Sequence, residues 1–239
     1  MTAPAHSILP LKVENLSYRA NGLVLIDSVS FALERPVRTV ILGPNGAGKS
    51  LLLRLCHGLI PPSGGQVAWN APDPARHQAM VFQRPVLLRR GVAANVGFGL
   101  RLRGVGRAER RARVAEALAL AGLTDLADRP ARVLSVGEQQ RLALVRAWIL
   151  RPEILFLDEP TANLDPAATR AVESVIDAIH RAGTGIVLTT QDLHQARRLA
   201  DQILFLHRGR LIERAPAERF FAGPASLEGA AFIKGDLVW

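Results

Sequence analysis

The stretch Gly43-Pro44-Asn45-Gly46-Ala47-Gly48-Lys49-Ser50 fits the phosphate-binding pattern G-x-x-x-x-G-K-[ST]. It stands between an apolar run, Thr39 to Leu42, and a helix-like run, Lys49 to His57, which is the strand-to-helix setting that the pattern requires. Glycines let successive backbone N–H groups curl around a phosphate, and the helix that follows offers the same anion its positive end. In this reading Lys49 reaches the β- and γ-phosphates, while the Ser50 hydroxyl serves a Mg²⁺ that bridges them. Leu51, the next residue of the helix, closes the candidate set of phosphate contacts.

Length and composition bound what surrounds that loop. The chain has 239 residues, of which 49% are apolar, enough for one large domain with a subdomain and a buried core. Its longest apolar runs, such as Ile154 to Leu157, are strand-sized and too short to span a bilayer. The first residues lack a basic start followed by an apolar core, so a cytoplasmic location is expected. The single cysteine, Cys56, lies among leucines of the first helix and reads as a core residue.

The net charge is +9 and unevenly placed: Arg84 to Arg132 carries eleven arginines and no lysine against Glu109, Glu116, Asp125 and Asp128. With Phe98 as its one aromatic, this segment lacks the interleaving that stacks bases, so nucleic acid is not expected as a partner. An anionic membrane surface, an acidic loop of a partner, or plain solvation all suit such a face.

Along the chain, Leu11 to Tyr18 alternates as a half-buried strand does, with Tyr18 near its end as a possible base-stacking residue. Strands are expected at Val24 to Phe31, Thr39 to Leu42, Gln66 to Trp69 and Ala79 to Phe82. The fifth ends at Gln83, a polar amide able to ligate Mg²⁺ or position water, and Pro85 turns the chain there. Gly106 to Leu123 reads as helix. Ser135 is placed to cap a further helix running to Leu150, and Gly137 permits close backbone approach, so this is a second helix end suited to an anion. Next comes Ile154 to Leu157, a fully apolar strand ending in Asp158 and Glu159, which puts one carboxylate near the metal and one beside the γ-phosphate.

Taken together, GPNGAGKS, Gln83, LSVGEQQR, ILFLDEP and the following Asn163, Leu164 and Asp165 resemble, in order and spacing, the ATP-binding cassette family, the ATPase subunits of ABC transporters. The resemblance runs from about Leu11 to about Phe221. It implies an α/β fold, a P-loop NTPase core with a mixed sheet (residues 1–83 and 151–239) and an inserted helical subdomain (84–150) within one domain. It further implies that Tyr18 stacks on adenine, that Gln83 senses the γ-phosphate, that Asp158 orders Mg²⁺, and that Glu159 is the catalytic base. Two copies would pack head to tail as a homodimer. Ser135, Gly137 and Glu138 of one copy would then meet the ATP held by the other, and Asp165 would communicate across the interface. Separate permease subunits, fed by a solute-binding protein outside the cell, would place the pair at the cytoplasmic face of the membrane.

Two positions depart from the family pattern. Val136 replaces the signature's usual glycine, while the contacts implied for Ser135 and Gly137 are retained. After the strand Ile186 to Thr189, Gln191 stands where the family usually has histidine, predicting slow hydrolysis through a weaker donor. His194 is expected to point away. No room is expected for an extra C-terminal domain. The stretches Val81 to Val96 and His194 to Leu211 are most like short oxyanion importer ATPases, tungstate-type in particular. A slow ATP-driven switch, or the ATPase of a phosphate, amino acid or export system, are the alternatives; a soluble DNA-repair or translation protein of this family would need a second cassette or a coiled coil.

Overall fold

The computed structural model describes residues 7–236; the end of the expected tail, up to Trp239, lies outside them. In chain order the elements are β1 (Leu11–Ala20), β2 (Leu23–Leu33), β3 (Arg38–Leu42), α1 (Lys49–His57), β4 (Gly64–Trp69), β5 (Gln78–Val81), α2 (Val92–Val96), α3 (Phe98–Leu102) and α4 (Arg107–Ala121). They continue with α5 (Val136–Trp148), β6 (Ile154–Asp158), α6 (Pro166–Arg181), β7 (Gly185–Thr190), α7 (Leu193–Leu199), β8 (Gln202–His207), β9 (Arg210–Pro216), α8 (Ala217–Ala222) and α9 (Leu227–Lys234).

The strands form two sheets. An antiparallel sheet of three runs β2-β1-β4, and a sheet of six runs β5-β6-β7-β3-β8-β9, parallel except for β9. The interior strands of the larger sheet, β3, β6, β7 and β8, are covered on both faces, which is why they read as largely apolar runs. In β6, Phe156 joins a cluster with α1 and the small sheet, whereas Leu155 and Leu157 join one with α5, α6 and α7. Helix α6 turns Val172, Val175, Ile176 and Ile179 to that second cluster at the spacing of one helical face. Cys56 is buried in the first cluster, and desolvation pushes its thiol up to about 12, so it is core and not a nucleophile.

The expected elements are all present, with ends that differ. Phe82 falls outside β5, and two of the expected helices stop short: Gly122 takes a left-handed turn after α4 and leaves Leu123 beyond it, while Leu150 lies past the end of α5. Helices α2 and α3, which sequence periodicity left unassigned, are short pieces split by Gly97. The parallel order places the C-terminal ends of β6, β7 and β3 side by side, and there the loops that matter converge.

Candidate functional site

The loop from Gly43 leaves the end of β3 and feeds α1. Gly48 adopts φ +97°, a conformation costly for any other residue, and so lets the chain enter α1 with its N–H groups free. Gly43, Ala47 and Lys49 are buried, whereas Asn45 and Gly46 are exposed at the rim. Lys49 is only 5% exposed, and its Nζ donates to the carbonyls of Gly43 (2.9 Å) and Pro44 (3.0 Å), with Glu159 Oε1 at 3.8 Å. Burial pushes its ammonium below the usual lysine range, while Glu159 and Asp158 pull the other way.

Across from the loop, Asp158 ends β6 and is 2% exposed. Its Oδ1 accepts from Ser50 Oγ (2.5 Å) and Thr189 Oγ1 (2.9 Å), and Oδ2 accepts from Arg54 (3.3 Å). The next residue, Glu159, holds φ +42°, a strained value for a side chain of this size. Its amide donates to Thr189 Oγ1 (2.9 Å), and its Oε2 accepts from Gln83 Nε2 (3.4 Å). Thr189 thus braces both acidic residues because β6 and β7 pair Asp158 with Thr189. A cleft of about 380 Å³ opens here, lined by Asn45, Gln83, Glu159, Asn163, Gln191 and Gln195 among others.

The structure therefore brings Lys49, Ser50, Gln83, Asp158, Glu159 and Gln191 together at the C-terminal ends of the parallel strands. His194 is exposed on α7 and does not line the cleft. Tyr18 is half-buried in β1 and packs on the core cluster of α1. Ser135, Gly137 and Glu138 lie at the start of α5, outside the cleft. Ser135 caps that helix in a reciprocal box: Glu138 N donates to its Oγ (3.4 Å), and Glu138 Oε2 accepts from Ser135 N (2.7 Å) and Oγ (2.8 Å). The Ser135 backbone N–H, then its hydroxyl, holds the Glu138 carboxyl below the usual range. Val136 is 63% exposed, so its extra bulk meets solvent. Asp165 caps α6, accepting from the amides of Ala167 and Ala168 (2.8 Å each).

Gly137 has a structural reason within the chain: a Cβ there would sit 2.8 Å from Cβ of Ala168 on α6. Gly137→Ala is expected to lower stability by about 1–3 kcal/mol through overpacking, read as a thermal midpoint lower by several degrees; an unchanged midpoint would show that α5 and α6 part freely. Sequence reasoning missed Arg54, Thr189 and Gln195. Arg54 stands one helical turn after Ser50, a spacing that could have flagged it.

The oxygens that meet here, the Ser50 hydroxyl and the Asp158 carboxylate 2.5 Å apart, suit a hard cation carried by phosphates. Among the described residues no group of three or more His, Cys, Asp or Glu forms an all-protein cage. Magnesium, which usually binds through one or two carboxylates plus substrate phosphates, fits this set.

A glycine-rich loop feeding a helix, a buried lysine in that loop and an aspartate-glutamate pair at the neighbouring strand end define a nucleoside triphosphatase core. The sequence model of the ABC transporter family matches residues 26–162, and the chain belongs to that family. It is the ATP-binding subunit of an ABC transporter, an ATPase whose hydrolysis is coupled to transport. Among its relatives, the phosphate import ATP-binding protein PstB 2 of Natronomonas pharaonis is 38% identical over 96% of this chain and 88% of its own length. The tungstate uptake system ATP-binding protein TupC of Peptoclostridium acidaminophilum is 37% identical over 89% of this chain and all of its own length. The Fe(3+) ions import ATP-binding protein FbpC of Pasteurella multocida is 34% identical over 93% of this chain and 66% of its own length. The solved structure of cbiO1 from Clostridium perfringens, part of the ABC transporter complex cbiONQ, superposes with a TM-score of 0.82 at 30% identity, covering 91% of each chain. The likeness to tungstate-type ATPases is thus shared with phosphate and iron relatives and does not single out tungstate. No helix among the described residues is long and apolar enough to cross a membrane.

Proposed function

We propose that this chain powers the import of an inorganic oxyanion, phosphate or tungstate in kind, as a head-to-tail homodimer docked on separate permease subunits at the cytoplasmic face of the membrane. The oxyanion reading draws on the phosphate and tungstate relatives, 38% and 37% identical to this chain. Of the stretches 1–83 and 151–239, the described residues 7–83 and 151–236 serve as the nucleotide-binding core, and 84–150 as the helical subdomain that meets the permease.

The observation that carries the mechanism is the convergence of Gln83, Glu159 and Gln191 on one cleft beside Lys49. Lys49 exchanges its two loop carbonyls for the β- and γ-phosphates, and the amides from Gly46 to Leu51 cradle them. Ser50 and Asp158, with the Gln83 oxygen, would hold Mg²⁺, which supplies charge neutralisation on the phosphates. Glu159 accepts a hydrogen bond from water and, as base, takes its proton as that water attacks the γ-phosphorus, while the bond from that phosphorus to the β–γ bridging oxygen breaks and ADP leaves. Gln191 donates to the γ-phosphate from the turn after β7. Tyr18 stacks on adenine, and Ser135, Gly137 and Glu138 reach the triphosphate from the second copy, with Asp165 at the seam.

The solute is tested with the subunit assembled on its permease in vesicles, supplied with the solute-binding protein loaded with phosphate, tungstate or Fe³⁺. Phosphate release should rise with an oxyanion and not with iron. Stimulation by Fe³⁺ alone would overturn the oxyanion reading.

A further inference from the structure

Gln195 sits on the inner side of α7, four residues after Gln191, and none of its surface is open to water. A buried amide needs partners, and this one has two. Its Nε2 donates to Thr161 Oγ1 (2.6 Å) and to Glu173 Oε1 (3.3 Å). Because a carboxylate only accepts, Glu173 fixes which end of the amide faces it. The other end, Oε1, is buried with no partner among the described residues.

Glu173 is itself held. Only 6% exposed on α6, it accepts from Arg198 Nε (2.8 Å) and from a terminal guanidinium nitrogen (2.7 Å), a two-pronged ion pair. Arg198 and Gln195 are on the same helix, so α7 grips Glu173 twice. Thr161 lies two residues after Glu159, and both line the cleft that Gln191 also lines. Gln195 thus ties the loop of Glu159, through Thr161, to the helix that follows Gln191, with α6 as the anchor.

Its two donor bonds fix Gln195 in one orientation, with the amide nitrogen committed to Thr161 and Glu173. The geometry to be held is demanding, since Glu159 keeps a strained backbone that only its surroundings can maintain. We propose that Gln195 is a positioning residue for hydrolysis: by bonding Thr161 and Glu173 at once, it sets the distance between Glu159 and Gln191 across the cleft. The proposal rests on the assignment of those two residues to the reaction.

The test is Gln195→Met in the permease-bound protein, with kcat, the KM for ATP and the thermal midpoint measured together. A loss of alignment of this kind lowers kcat by about 10- to 10²-fold. The KM should stay within about twofold, because the phosphate loop is untouched, and the thermal midpoint within about 4 °C. A second variant, Thr161→Val, cuts the same tie at its other end and leaves the Arg198–Glu173 pair intact. Its kcat should fall about as far as that of Gln195→Met, and the double variant should lose no more than either alone. An unchanged kcat in Gln195→Met, or losses that multiply in the double variant, overturns the proposal. Should Gln195→Met not fold, Thr161→Val decides the matter by itself, an unchanged kcat there overturning it. Glu159→Gln is run alongside: if it hydrolyses ATP at the parent rate, the assignment of Glu159 fails and carries this inference with it, whereas a silent Gln195→Met beside an inactive Glu159→Gln removes the inference alone.

Discussion

Glu159→Gln should lower phosphate release by about 10²- to 10⁴-fold, the usual contribution of a positioned base, while ATP still binds. The substitution keeps the shape of the side chain and its place at the end of β6, where its amide is braced by Thr189. It removes the ability to take a proton from water, together with the negative charge. Lys49, 3.8 Å away, loses a carboxylate neighbour and keeps its two carbonyl acceptors, so the phosphate loop is preserved. With hydrolysis halted, two copies should remain closed on Mg·ATP and run as a dimer by size exclusion, where the parent protein returns to its resting state. Turnover at the parent rate would mean that the proton leaves by another group.

Gln191→His should raise turnover by up to about 10²-fold, the scale of one well-placed donor at a reacting phosphate. Gln191 is exposed in the turn between β7 and α7, and it lines the same cleft as Glu159. An amide donates without charge and on a flexible stem, whereas an imidazole is stiffer and can donate as a cation. The turn around it is pinned: Asp192 caps α7 by accepting from His194 N (2.7 Å) and Gln195 N (3.1 Å), and its own amide donates to Thr190 Oγ1 (3.0 Å). A new side chain at 191 therefore works from an unchanged backbone. Steady-state phosphate release by parent and variant decides it; equal rates would show that another step limits this ATPase.

Much of this was legible in the chain because local chemistry and global fold agree there. The loop Gly43 to Ser50 requires a strand before it and a helix after it, and both are present; Ser135 announces the helix it caps. Apolar runs such as Ile154 to Leu157 signal strands buried on two faces, and the larger sheet covers them both ways. What stayed hidden depends on register and through-space contact. Thr189 braces Asp158 and Glu159 only because β6 and β7 align those residues, and no sequence spacing encodes that alignment. Helices α2 and α3 were obscured by Gly91, Gly97 and Gly99, which interrupt any apolar period. The Arg-rich segment, whose single aromatic argued against base stacking, uses that aromatic internally: Arg90 and Arg101 lie over Phe98 at 5.3 and 5.4 Å. Gly137, picked out for approach to an anion, already spends its missing side chain on Ala168.

Lys49 donating to the carbonyls of Gly43 and Pro44 has one more implication. A shielded cation needs more than a single carboxylate 3.8 Å off, and here the peptide dipoles of its own turn quench it. That mooring is made of peptide oxygens, which every residue type carries, so it depends on the path of the turn and not on the identity of the side chains along it.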